Sequence, residues 1–212
     1  MRLLKADLET VGKAADIVKK GGVVAYPTDT VYGLGCDPTK PDAVRRLIQI
    51  KGERKKPLPI LGDAIESLEK VAILTYEAGL LAKKFWPGAL TIILTKKPFL
   101  PDIIAMGSSS LGVRIPNHKI ALQLIGLSGG LLVGTSANLS GSKPPIDAEG
   151  VAKQIGNKVD LILDGGRTPL AKESTVISLI GGKLRVIRVG PVSESDIKSA
   201  LTQRLEKTRL QG

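Results

Sequence analysis

Residues 23–35 read Val-Val-Ala-Tyr-Pro-Thr-Asp-Thr-Val-Tyr-Gly-Leu-Gly, so that an apolar run passes into polar side chains and then into glycines. The apolar run at its start predicts a buried strand. Polar side chains at the end of such a strand are typical of the edge where α/β sheets bind ligands. The alternative is a tight β-turn in which Asp29 caps its own backbone, and the segment alone leaves both interpretations open.

Strand-like and helix-like segments alternate on both sides of this stretch. Before it, apolar residues at 11, 14, 15 and 18 predict a helix that Gly21-Gly22 ends. After it, we expect helices over 42–50, 75–85, 119–127, 147–155 and 193–205, and strands over 90–95, 111–115, 131–134, 161–163, 175–180 and 184–188. The last two strands should form a hairpin across Gly181-Gly182. The pattern predicts one α/β domain with a mixed sheet over residues 1–206, and a flexible tail over 207–212.

The composition is that of a folded globular domain. The 212 residues are 42% hydrophobic and 24% charged, which argues against intrinsic disorder. Aromatic residues make up only 3%, which weighs against modules that stack single-stranded bases on aromatic side chains. One cysteine, Cys36, and one histidine, His118, exclude an internal disulfide, a cysteine-based zinc site and a multi-histidine metal site. We expect Cys36 to be a small buried residue rather than a reactive one.

The chain is strongly basic, with a formal net charge of +11. Such a charge indicates a polyanionic partner, such as RNA, DNA or a nucleoside triphosphate, and the alternative is a solubilising basic surface. No stretch has the length and apolarity of a transmembrane helix, and the first residues lack the apolar core of a signal peptide. We therefore expect a cytoplasmic protein with no membrane partner.

Two further polar segments could carry chemistry. Residues 51–57 read Lys-Gly-Glu-Arg-Lys-Lys-Pro and hold a net charge of +3. They could neutralise a triphosphate or an RNA backbone, or they could form a solvated helix C-terminus, where the helix dipole favours cations. Residues 131–141 read Leu-Leu-Val-Gly-Thr-Ser-Ala-Asn-Leu-Ser-Gly, a buried strand opening into donors for an anionic ligand or into Asx and Ser turns.

Three arginines in strand-like segments need explanation. Arg114 lies inside an apolar strand, and a buried arginine requires a partner, from the protein or from a ligand. Arg185 and Arg188 are three residues apart on one strand, so their side chains should point to opposite faces. At most one of these two arginines should therefore face any given site.

Taken in order, the motifs resemble the YrdC-like family over about residues 8–200. The resemblance is carried by four segments: 27–34, 112–116, 135–141 and 174–176. It implies an α/β fold with an open, twisted, mostly mixed sheet flanked by helices around a large, concave, positively charged cavity.

The resemblance also implies an activity. Synthases of this family form L-threonylcarbamoyl-adenylate and pyrophosphate from L-threonine, bicarbonate and ATP, so a nucleotidyltransferase is expected. Other proteins then transfer the threonylcarbamoyl group to tRNA, and members can bind tRNA or double-stranded RNA. ATP would be a substrate, and Mg²⁺ would arrive with its phosphates rather than in a dedicated metal site.

The family pattern assigns roles to ten positions of this sequence. The expected threonine contacts are Thr30, Arg114, Ser136 and Ser174. The expected ATP contacts are Lys51, Arg54, Lys56, Ser110, Asn138 and Arg188. The residues expected to act at the reacting phosphate as catalytic residues are Lys51, Arg54, Ser136 and Asn138.

The chain departs from the family pattern in the basic segment. Glu53 stands where the pattern has an arginine, and Arg54 follows one residue later. Leu61 stands near a position where some members have a substrate-binding histidine. These departures keep open the alternative of a non-catalytic YrdC-like RNA-binding paralogue. A carbamoyl-transfer or hydrolase domain of a larger enzyme is a further alternative, although larger carbamoyltransferases with a YrdC-like domain carry zinc-finger cysteines elsewhere and this chain has one cysteine.

Overall fold

A computed structural model of the protein describes residues 2–52 and 56–209, the last seven as backbone alone. The helices are α1 Leu8–Lys19, α2 Pro41–Lys51, α3 Ile65–Glu69, α4 Tyr76–Phe85, α5 Asp102–Ala105, α6 Lys119–Leu127, α7 Ala148–Ile155 and α8 Glu194–Arg209. The strands are β1 Leu3–Lys5, β2 Val24–Tyr26, β3 Gly33–Gly35, β4 Ile60–Gly62, β5 Leu90–Thr95, β6 Ser110–Arg114, β7 Leu131–Val133, β8 Thr135–Ser136, β9 Leu161–Asp164, β10 Thr175–Ser178 and β11 Arg185–Arg188. The predicted segments are confirmed, although α8 continues four residues past its expected end at 205. The flexible tail stays a prediction.

The strands form two mixed sheets. One sheet has the order β1-β9-β2-β3-β8 and the other has the order β11-β10-β5-β6-β4-β7. The α/β class with mixed strand directions is therefore confirmed, whereas the expectation of one sheet was wrong. The chain passes from one sheet to the other at Gly134, between β7, which matches the predicted strand over 131–134, and β8, which was not predicted. A Cβ at Gly134 would lie 2.3 Å from the Leu61 side chain, so this crossing needs glycine.

Side-chain alternation along β2 places apolar groups on both faces of its sheet. Val24 and Tyr26 pack into a cluster with α1 and α6, whereas Ala25 packs into the larger core on the other side. This burial explains why β2 reads as a continuous apolar run rather than an alternating one. Tyr26 is fully buried, and its hydroxyl donates to the Val133 carbonyl oxygen at 3.1 Å.

Helix ends follow the capping residues in the sequence. Asp7 caps α1 by accepting from the Thr10 amide at 2.9 Å, and the Thr10 hydroxyl accepts from the Asp7 amide at 2.9 Å. Ser193 caps α8 by accepting from the Asp196 amide at 3.1 Å.

Cys36 is fully buried as predicted, and burial raises the pKa of its thiol to about 12. Within the described residues, no helix is both long and apolar enough to cross a membrane.

Asp160 joins the start of β2 to helix α2. Its carboxylate accepts from the Val23 amide at 2.8 Å and from Arg46 Nη2 at 2.9 Å. Partial burial works to raise the pKa of Asp160, but the hydrogen bonds from Arg46 and Val23 outweigh it, so the pKa is lowered. A carboxyl whose pKa is lowered on folding stabilises the protein above its unfolded pKa, and this contribution disappears as pH falls through the folded pKa.

We expect Asp160→Asn to lower the free energy of unfolding at pH 7 by about 1 kcal/mol, because an amide offers Arg46 and Val23 one uncharged acceptor oxygen in place of two charged ones at a partly exposed site. Urea denaturation measures this difference, which should shrink in acid. Asp42→Asn is the matched control: it removes the carboxylate paired with Arg45 on the same helix, where Asp42 is 97% exposed. Equal destabilisation by the two variants would contradict this role for Asp160.

Candidate active site

A cavity of about 660 Å³ opens beside residues of β5, β6, β8, β10 and β11. Its described lining includes three cationic side chains and one carboxylate: Lys56, Arg114, Arg188 and Glu173. Hydroxyl groups alternate with these charges, from Thr91, Ser108, Ser110, Thr135, Ser136 and Ser174. This chemistry suits an anionic ligand that also accepts hydrogen bonds.

Arg114 is held in one orientation by three hydrogen bonds. Nε donates to the Gly88 carbonyl oxygen at 2.8 Å, Nη1 donates to Thr30 Oγ1 at 3.0 Å, and Nη2 pairs with Asp29 Oδ1. A guanidinium has five N–H donors, so one N–H on each terminal nitrogen is not committed to a described residue. A carboxylate or phosphate can accept hydrogen bonds from such donors. Burial lowers the pKa of Arg114, and the neighbouring Asp29 opposes that shift.

The hydroxyl-rich turn after β2 supports Arg114 from behind. Thr28 Oγ1 donates to the Val31 carbonyl oxygen at 2.7 Å and accepts from the Thr30 amide at 3.1 Å. Thr28 therefore caps this turn, whereas the capping hypothesis had named Asp29. Thr30 is 2% exposed and contacts Arg114, while the next residue, Val31, reaches the cavity.

Asp29 and Arg114 form an ion pair with both side chains 6% exposed. The second oxygen of Asp29, Oδ2, is buried and accepts no hydrogen bond within the described part of the chain. His118 lies close enough to interact electrostatically with Asp29, and its buried Nδ1 likewise lacks a described partner. Burial lowers the pKa of His118, and the Asp29 charge opposes that shift.

Lys51 ends α2 and holds the segment that follows β8. Its ammonium donates to the carbonyl oxygens of Ser136 at 2.6 Å and Asn138 at 2.9 Å, and to Asn138 Oδ1 at 3.3 Å. The Lys51 carbonyl oxygen also accepts from the Ser140 amide at 2.8 Å. Asn138 Nδ2 continues the network to the carbonyl oxygens of Leu139 and Ser142. Ser136 lines the cavity, so this network fixes one cavity wall.

Ser174 and Arg188 form the opposite wall. Arg188 Nε donates to the Ser174 carbonyl oxygen at 3.0 Å, and Nη2 donates to Ser174 Oγ at 3.3 Å. Thr91 Oγ1 lies 2.9 Å from the same hydroxyl. Arg188 lines the cavity and Arg185 is not part of its described lining, which confirms that at most one of them faces the site. A register shift between β10 and β11 at Val176/Ile177 lets Ile187 line the cavity beside Arg188.

The ten expected site residues thus separate into three groups. Those that line the cavity are Lys56, Ser110, Arg114, Ser136, Ser174 and Arg188. Those that lie behind the wall and hold its residues are Thr30, Lys51 and Asn138. Arg54 lies outside the described residues. Ser110 also pairs with Ser108 through hydroxyl oxygens 2.8 Å apart.

Sequence reasoning missed three residues that the structure adds. Asp29 was considered only as a turn residue, although a buried arginine elsewhere in the sequence predicted a partner. Glu173 lies next to the expected Ser174, and its carboxylate pairs with Arg188 at 2.5 Å. Thr91 lies inside the predicted strand over 90–95, where alternation alone does not indicate which face meets a cavity.

Similarity to known proteins covers most of the chain. A family model for the Sua5, YciO and YrdC proteins, described as telomere recombination, matches residues 16–190. Threonylcarbamoyl-AMP synthase of Pyrococcus abyssi is 40% identical over 190 residues, which is 89% of this chain and 56% of the relative. Threonylcarbamoyl-AMP synthase of Bacillus subtilis is 38% identical over 194 residues, which is 90% of this chain and 56% of the relative.

A crystal structure of Pyrococcus abyssi Sua5 complexed with L-threonine superposes with a TM-score of 0.90 at 38% identity. The match covers 94% of this chain and 59% of that protein. The chain therefore spans little more than half the length of these relatives.

Breaking the Arg114–Asp29 pair should leave an unpaired buried charge. We expect Arg114→Met and Asp29→Asn each to lower the free energy of unfolding by about 3–5 kcal/mol. The double variant should lose less than the sum of the single losses, because it removes both charges together. Urea denaturation of the four proteins measures the coupling. Additive losses would show that the two charges do not stabilise each other.

Proposed function

The chain belongs to the Sua5/YciO/YrdC family, and from that premise we propose that its cavity forms L-threonylcarbamoyl-adenylate and pyrophosphate from L-threonine, bicarbonate and ATP. The observation that carries the proposal is the arrangement of Arg114, with two uncommitted N–H groups, in one cavity with Arg188 and Lys56. Such a cavity can hold a carboxylate and a phosphate chain side by side. The names of the relatives agree with this activity.

The amino acid would bind at Arg114. Its carboxylate would accept the two remaining N–H groups of the guanidinium, which Asp29, Thr30 and Gly88 hold in place. Ser174 and Ser136 supply hydroxyls that line the same cavity, and Ser174 is 5% exposed. A guanidinium fixed before binding loses little conformational entropy when the ligand arrives.

The nucleotide would bind between Arg188, Lys56 and Ser110, with its phosphates on the two cations. The family pattern adds Arg54 to this group. Lys51 and Asn138 would contribute by fixing the wall at Ser136. No set of three metal-binding side chains occurs in the described parts of the chain, and Glu173 is the carboxylate in the described cavity lining. Mg²⁺ would therefore come with ATP, held by phosphate oxygens and water, and would offset phosphate charge.

The reaction has two steps. The threonine nitrogen attacks the carbon of bicarbonate, and loss of water gives a carbamate. A carbamate oxygen then attacks the α-phosphorus of ATP, and the bond to the bridging oxygen breaks as pyrophosphate leaves. Both reactants of the second step are anions, so the protein contributes by holding them together and by placing cations around the phosphorus. Neither step requires a histidine or cysteine nucleophile.

The product is an activated acyl-adenylate, which other proteins would use to modify tRNA. The net charge of +11 favours contact with tRNA or double-stranded RNA. ATP and tRNA meet in the cytoplasm, which is where we place the reaction.

Pyrophosphate release tests the proposal. We expect release to require ATP, L-threonine and bicarbonate together. Arg188→Gln should lower kcat/KM for ATP by roughly 30- to 1000-fold, the equivalent of about 2–4 kcal/mol for loss of one preorganised donor.

Arg185→Gln is the matched control, because it removes the same charge from the same strand at a position outside the described cavity lining. Its activity should stay within about twofold of the unaltered protein. Folded protein that binds RNA but releases no pyrophosphate would instead indicate a non-catalytic RNA-binding paralogue.

A further inference from the structure

Two arginines line the cavity, and the carboxylates paired with them differ sharply in burial. The side chains of Arg114 and Asp29 are each 6% exposed, whereas those of Arg188 and Glu173 are 40% and 37% exposed. A buried pair cannot separate without leaving a desolvated charge. An exposed pair competes with water and salt and separates readily. Arg114 therefore has a fixed counter-ion, whereas the counter-ion of Arg188 can move.

The attachment of Arg188 does not depend on Glu173. Two hydrogen bonds join its Nε and Nη2 to the backbone oxygen and hydroxyl of Ser174, which is itself 5% exposed. Thr91 supports that hydroxyl at 2.9 Å. Only Nη1 donates to the Glu173 carboxylate, at 2.5 Å. If the Glu173 carboxylate leaves, the guanidinium keeps its position and gains an open donor.

The electrostatics of the cavity explain why such a counter-ion is present. Burial is the main cause that lowers the pKa of Arg114, and the positive charge of Arg188 adds to that lowering. The two cations are thus close enough to repel each other across the cavity. Glu173 neutralises Arg188 when no anion is bound, and an anion with more charge than a carboxylate can replace it.

We propose that Glu173 is an exchangeable counter-ion of Arg188, which the phosphate chain of the incoming nucleotide displaces. The inference rests on the proposed function for the identity of the nucleotide, but the exchange itself concerns any polyphosphate. Because Glu173 competes for the Arg188 guanidinium, an anion would need more negative charge to bind there than it would without Glu173. A triphosphate meets that requirement, whereas chloride and bicarbonate, each with a single charge, do not. Glu173 is thus a specificity residue: it lowers the affinity for the nucleotide and raises the selectivity for a triphosphate over singly charged anions.

Equilibrium binding of inorganic tripolyphosphate, followed by titration calorimetry, tests the exchange without turnover. Glu173→Gln should bind tripolyphosphate about three- to tenfold more tightly than the unaltered protein at low ionic strength, and the difference should vanish near 0.5 M salt. Glu173→Asp keeps the charge and should bind like the unaltered protein. Glu9→Gln is the matched control: it removes one acid from the Glu9–Lys13 pair on α1, outside the described cavity lining, and should change nothing.

A double-mutant cycle separates competition for Arg188 from general repulsion. In an Arg188→Gln background the gain from Glu173→Gln should fall below about twofold, because no guanidinium remains to be released. Weaker or unchanged binding by Glu173→Gln would overturn the proposal. If Glu173→Gln binds tripolyphosphate more weakly only when Mg²⁺ is present, Glu173 is a metal ligand and the proposal is overturned. Pyrophosphate release stays a separate test. If the expected binding pattern is found but no pyrophosphate is released, the synthase activity is rejected and the exchange of Glu173 is retained.

Discussion

Burial of the Arg114 charge is the constraint on which the site depends. Moving a guanidinium and a carboxylate out of water costs several kcal/mol for each ion, so each of the two buried charges needs the other as its partner. Asp29 follows β2 of one sheet and Arg114 ends β6 of the other, 85 residues apart in sequence. Their ion pair therefore joins the two sheets at the edge of the cavity. The same arrangement leaves two N–H groups of the Arg114 guanidinium uncommitted to any described residue, so that a ligand can accept from them.

The other walls of the cavity place their polar groups around the fixed Arg114 guanidinium. Lys51 and Asn138 determine the wall that carries Ser136, while Ser174 determines the position of Arg188. The backbone at Ser136 and the guanidinium of Arg188 are thus held by hydrogen bonds within the protein, without a ligand. Preorganised donors of this kind stabilise developing charge without reorganisation cost during the reaction. A cavity that brings a carboxylate and a polyphosphate together needs this rigidity, since the two ligands repel each other.

Much of the fold was accessible from the sequence, because local patterns determine its elements. The apolar run of β2 and the glycines between β10 and β11 each follow from short-range chemistry. The division into two sheets did not, because the pairing of β7 with β4 and of β8 with β3 joins segments that are distant in sequence, which no local pattern reveals. The pairing of Asp29 with Arg114 was predicted only in part. A buried arginine indicated that a partner exists, but the fold was needed to identify Asp29 as that partner.

Lys51 shows why a resemblance at the level of motifs does not determine how a residue acts. The basic segment predicted either a phosphate contact or a solvated helix end. Lys51 is only 3% exposed and donates to the oxygens of Ser136 and Asn138, so the solvated helix end was wrong at this residue, while the phosphate contact stays a prediction. Removing Lys51 would leave those buried carbonyl oxygens without their donor, at a cost comparable to that of a lost catalytic contact. Loss of activity in a Lys51 variant would therefore report the shape of the cavity wall as well as any charge on the phosphate. Arg188 is the better probe of phosphate binding, since its guanidinium reaches the cavity and Arg185 supplies a charge-matched comparison on the same strand.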